Sequence, residues 1–162
     1  MVAGSALLPF LSLHFACPMK NKTLATLLAL LGGPLGLHRF YLHGWRDAWG
    51  WFFPLPTLAG VVGVMRTQQF GIDDQIGWLL APLLGFTIAA CALTAIIYGL
   101  STGERWNRRF NPTSPPDAKA GTSNGFTIFV VVIALLLGTT ALMSALALSF
   151  QHFFEYQGLA PQ

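Results

Sequence analysis

Charged side chains are sparse along this chain, and the intervals between them mark its elements. Ile76 to Leu100 and Phe126 to Phe150 are each about 25 residues without a charge, where about 20 cross a bilayer. Ala48 to Met65 is a third uncharged run of about 18, with Trp49, Trp51, Phe52 and Phe53 gathered at its start, as suits an aromatic end at headgroup level. Pro54 and Pro56 predict a bend there, because proline removes a backbone donor and crowds the preceding turn. The fourth run, Thr23 to Leu37, is only about 15 residues. It reaches spanning length if the helix continues through His38 to Tyr41, with Lys22 and Arg39 snorkelling to opposite interfaces. The pattern predicts an all-α integral membrane protein with four transmembrane helices.

Composition removes the alternatives. Of 162 residues, 54% are hydrophobic and 9% charged, against about 25% charged in ordinary soluble domains. Nine basic and six acidic side chains cannot cover an aqueous globule of this size, and the apolar content is far too high for disorder. The net charge of +3 comes from short clusters without the long basic tract that follows phosphates, so no nucleic-acid partner is expected.

The chain divides into an uncharged N-terminal extension (1–18), a helical pair (19–66), a connecting loop (67–75), a third span (76–100), a long loop (101–125), a fourth span (126–150) and a tail (151–162). The extension lacks the basic start of a secretory signal and is broken by Pro9 and His14. The residues ahead of Cys17 do not suit lipidation, and Met19 is the expected start. In the long loop, Arg105, Trp106, Arg108 and Arg109 suit interfacial lipid contact, aromatic rings anchoring while guanidiniums meet phosphates. An acidic cytoplasmic partner for that cluster stays open. The Pro- and Ser-rich remainder of the loop is expected to be a flexible connector. With four spans, Arg39, Arg46, Arg105, Arg108, Arg109 and Lys119 share one side and Lys20, Lys22 and Arg66 the other. The positive-inside rule then places both termini outside the cytoplasm, in a bacterial inner membrane.

Between the first two runs, Lys20-Asn21-Lys22 is followed by Gly32, Gly33 and Gly36, then His38-Arg39-Phe40-Tyr41-Leu42 and Gly44. This series resembles the TM-two domain family, in which two transmembrane helices are joined by a short turn bearing an Asp-Arg-Phe or His-Arg-Phe motif. The likeness covers about residues 20–65. His38 stands where many members have Asp, and His43 displaces the closing glycine by one place. The resemblance implies a helical hairpin with, as in animal relatives, a cytoplasmic turn; it names a membrane module and no reaction.

From the residues themselves, Gly32 and Gly36 form a Gly-x-x-x-Gly pair suited to close helix contact, with Pro34 loosening the helix between them. Ala134, Gly138, Ala141, Ala145 and Ser149, and Gly85 with Ala89, make small-residue stripes on the last two spans. Arg39 with Phe40, supported by His38 and Tyr41, reads either as an interfacial anchor or as a recognition point. His38, His43 and Asp47 follow no established metal-ligand spacing, and Ser101, Ser144 and Ser149 lack a histidine–carboxylate signature. No cofactor or catalytic role is expected. No charge lies deep in any span, which counts against coupled transport. The expected role is a membrane interaction or organising module whose partners are lipids and other membrane helices. The alternatives are a small oligomeric transporter or channel component using Pro54 and Pro56, and an interfacial lipid enzyme using His38, His43 and Asp47.

Overall fold

A computed structural model describes residues 19–71 and 74–159; the N-terminal extension with Cys17, and the last three residues of the tail, lie outside the described residues. Those described form helices and connecting turns, with no strand among them. Helix α1 (Lys22–Leu31) starts where the Asn21 side chain accepts from the amides of Thr23 and Leu24 and stops at Gly32. A 3-10 turn, Gly33–Leu35, carries Pro34, and Gly36 follows with φ of 74°. The chain then forms α2 (Leu37–His43), which closes on Gly44.

The first apolar run is therefore not one helix. α1 rises about 15 Å at 1.5 Å per residue, half of a hydrocarbon core about 30 Å thick. α2 then returns to the level at which α1 began, for the Lys20 ammonium donates to the Leu42 carbonyl and the Asn21 amide to the Tyr41 hydroxyl at 2.9 Å. The physical reason is the Gly-Gly-Pro-Leu-Gly sequence. Pro34 has no amide to continue the ladder, and Gly36 takes a left-handed conformation that an L side chain resists. A Cβ on Gly36 would also run into the carbonyl of Gly50.

Helices α3 (Ala48–Phe52) and α4 (Pro54–Phe70) make one nearly continuous apolar segment, Ala48–Phe70. At the joint where the two prolines predict a bend, the regular helix is interrupted at Phe53 alone, which keeps helical dihedrals (φ −59°, ψ −39°), and α4 runs past Met65 to Phe70, shortening the expected 67–75 loop. α5 (Gln75–Leu100) contains Pro82, α6 (Gly103–Phe110) is short and amphipathic, and α7 (Gly125–Leu159) extends through the expected fourth span into the tail. Three segments, α3–α4, α5 and α7, are long and apolar enough to cross a membrane.

α5 is the common partner. α7 and α4 pack along it most extensively, and α1 packs on α5 and α7, so the two helices of the expected hairpin lean chiefly on α5. The contacts use small residues. A Cβ at Gly60 or Gly63 would lie 2.6 Å from Leu84 or Leu80 of α5, and one at Gly85 would lie 2.8 Å from Ala145 of α7. The interior holds Ala25, Ala29, Ala92, Ala95, Ala134 and Ala145, whereas Leu93, Ile97, Phe129, Leu136 and Met143 face outward. Small residues inside and large apolar residues outside is the arrangement of helices packed in lipid.

Candidate functional site

The His-Arg-Phe-Tyr series occupies α2. Successive residues on a helix diverge by about 100°, so each side chain reaches a different wall. His38 turns inward and is 1% exposed. Its ring meets Phe53 edge-on at 5.4 Å and lies 6.2 Å from Tyr98, and its Nδ1 is buried without a hydrogen-bond partner among the described residues. Phe40 stacks on Trp45 at 5.2 Å and meets Trp51 at 5.3 Å, in space left by Gly50, where a Cβ would stand 2.6 Å from its ring. The Tyr41 hydroxyl accepts from Asn21.

Arg39 donates from Nε to Asp47 Oδ2 at 2.6 Å. The same oxygen lies 3.9 Å from His43 Nδ1, and Asp47 caps α3 by accepting from the Trp49 amide. The hydrogen bond from Arg39 holds the Asp47 carboxyl below the usual carboxylate range. His38, pointing inward, does not join His43 and Asp47, so the three do not converge on one point.

A second corner repeats this design. Arg66 holds Asp74 through Nε and Nη2, each at 2.9 Å, and Asp74 caps α5 by accepting from the Gly77 amide at 2.8 Å. In both corners the arginine is followed five residues later by a glycine of positive φ, Gly44 at 84° and Gly71 at 82°, and three residues after that by the capping aspartate. This Arg-x4-Gly-x2-Asp repeat is present in the sequence, and its pairing across a glycine turn is what sequence reading missed.

The lysine entry is equally structural. The Lys20 ammonium meets the last turn of α2 at Leu42. Lys22, fully buried, donates to the Ser101 carbonyl at the end of α5 and to Ser123 Oγ at 2.6 Å. Both place a cation where helix carbonyls are unsatisfied and the helix dipole is negative. Over this entry lies α6. Trp106 Nε1 donates to the Lys20 carbonyl at 2.9 Å, and Asn111 accepts from the Lys20 amide at 2.8 Å. Asn107 donates to the carbonyls of Pro116 and Ala118.

Several expectations are corrected here. Gly32 and Gly36 share no helix face, since Gly32 ends α1 and Gly36 lies in the turn; Gly33 instead approaches α5, where a Cβ would stand 2.6 Å from that of Cys91. Trp106 does not contact lipid: it is 2% exposed and packs on Phe110 at 4.5 Å and Tyr98 at 5.7 Å, while Arg105, Arg108 and Arg109 are exposed. The second half of the long loop is held on α6 by Asn107. The signal for this was the buried-face spacing of Trp106, Asn107 and Asn111 next to an exposed arginine face.

No curated protein and no solved structure matches the chain. The family described as TM2 domain matches at residues 18–65, the segment from the lysine entry through α1, the glycine turn and α2 into α4, so the TM-two resemblance holds for that part of the chain.

Proposed function

We propose that this chain is a non-catalytic interaction and organising module of a bacterial inner membrane, with three spans and one hairpin, α1–α2, inserted from a single face. The supporting observation is the placement of the motif. His38, Arg39, Phe40 and Tyr41 all meet partners within the chain, and Arg39 and Phe40 fix the turn and helix α3 that present Trp45, Trp49 and Trp51, each more than half exposed. The contact surface is then this aromatic shelf, with Arg39 as the residue that positions it. Exposed aromatic residues beside cations suit both headgroup level and recognition of another membrane protein.

Direction follows from the hairpin. Because α1 and α2 begin and end together, Lys20, Lys22, Arg39 and Arg46 lie at the face that also carries Arg105, Arg108, Arg109 and Lys119, with Arg66 alone at the opposite end. Eight of the nine basic residues thus share one side, a far stronger bias than six against three, and the positive-inside rule makes it cytoplasmic. Met19 and the end of α7 then lie on opposite sides.

Photocrosslinking from position 49 in native membranes tests the contact role. A discrete adduct is expected, lost in Phe40→Ala, which removes the support of the shelf, and retained in Leu136→Ala on the outer face of α7. Crosslinking that is diffuse, or indifferent to Phe40, would contradict the assignment of the shelf.

A further inference from the structure

At the proposed cytoplasmic end of α5, Leu93, Ile97 and Leu100 are exposed and spaced so that they fall along one side of the helix. At the end of this strip, α5 and α6 together line an open groove of about 430 Å³, with Ile97, Leu100, Arg105 and Arg109 among its lining residues; Arg108 does not line it. Arg105 and Arg109 are one helical turn apart, so they emerge on the same side of α6. The helix that carries them is fixed from beneath by Trp106 and Asn107, both buried. Among the described residues neither guanidinium is within ion-pairing distance of a carboxylate; Arg109 lies 5.5 Å from the ring of Phe110.

We infer that this groove seats one anionic phospholipid, its phosphate between Arg105 and Arg109 and an acyl chain along Leu93, Ile97 and Leu100. Charge complementarity selects an anion, and guanidinium pairs suit phosphate oxygens. The continuous apolar strip leading from the cations down α5 selects an amphiphile over a free phosphate or an acidic peptide, either of which would leave the strip unmatched. This inference rests on the proposal that the basic face meets a leaflet surface, and it narrows the expected interfacial contact from four residues to two.

The test uses the full chain in phosphatidylcholine nanodiscs into which phosphatidylglycerol is titrated, with bound lipid counted by native mass spectrometry. One phosphatidylglycerol per chain is expected in preference to phosphatidylcholine. Arg105→Gln with Arg109→Gln should weaken it about thirtyfold, equivalent to about 1 kcal/mol for each basic residue near an anionic surface. Arg108→Gln should leave it unchanged, and Arg105→Lys with Arg109→Lys should restore most of it. Equal losses for Arg108→Gln, no preference for phosphatidylglycerol, or displacement by inorganic phosphate would overturn the inference. All the substituted side chains are exposed, so folding is preserved. Orientation does not enter this measurement: a reversed orientation with lipid retention intact would overturn the proposed topology alone.

Discussion

Arg39 and Asp47 join two helix ends across a glycine turn, and their charge state decides when that corner holds. Since Arg39 lowers the Asp47 pKa, ionised Asp47 favours the fold above the ordinary carboxylate pKa, and that contribution is lost as pH falls through the lower folded value. Arg66 lowers the Asp74 pKa in the same way. Both corners should therefore be unchanged between about pH 5 and 8 and loosen only below about pH 4. Tryptophan emission, to which Trp45 and Trp51 beside the first corner contribute, should be flat across the upper range; a transition within that range would instead implicate a histidine. At Gly36, substitution by Ala combines positive φ, about 1–2 kcal/mol, with a clash against Gly50, and should expose the 33–50 region to protease. Gly44→Ala meets open space and should show the conformational cost alone. Trp106→Ala should be the most damaging change in α6, by about 3–5 kcal/mol for loss of a buried aromatic, and should release the 111–124 segment to proteolysis.

At the level of elements, apolar runs reveal where helices lie and say nothing about the direction in which they cross. Residues 23–41 read as a short span because their hydropathy is continuous. What divides them is backbone chemistry at Pro34 and Gly36, visible as a weak point in the sequence, while the meeting of Lys20 with Leu42 and of Asn21 with Tyr41 is tertiary and leaves no periodic trace. The same limit hid the role of α6. An Arg-Trp-Asn-Arg-Arg-Phe string is what an interfacial helix looks like, and only the partners of Trp106 and Asn111 on Lys20 show that its inner face belongs to the core. The small-residue stripes were legible because close approach demands them locally: Gly85 and Gly138 lie where α5 and α7 touch. Gly85→Leu should accordingly separate α5 from α7 and lower thermal stability in detergent, whereas Leu136→Ala, on the outer face of α7, should change it little.

For the whole molecule, α5 carries α4, α7 and the α1–α2 hairpin, and the motif region closes one end of that assembly. The hairpin reaches Cys91, about 14 Å from the end of α5 at 1.5 Å per residue, which in the proposed topology puts the glycine turn near the bilayer midplane. In that topology a half-membrane hairpin locked by lysines at its mouth makes the two leaflets unequal, with most cations and Trp45, Trp49 and Trp51 on one side and little charge on the other. Single-cysteine accessibility tests this most directly, using spheroplasts, a membrane-impermeant maleimide, and Cys17 and Cys91 replaced by Ser. Asn21→Cys, exposed at the mouth of the hairpin, and Arg46→Cys should both be protected until the membrane is permeabilised, while Gln69→Cys labels at once. Immediate labelling of Asn21→Cys together with Gln69→Cys, with Arg46→Cys still protected, would show that the first run crosses the membrane and would contradict the hairpin.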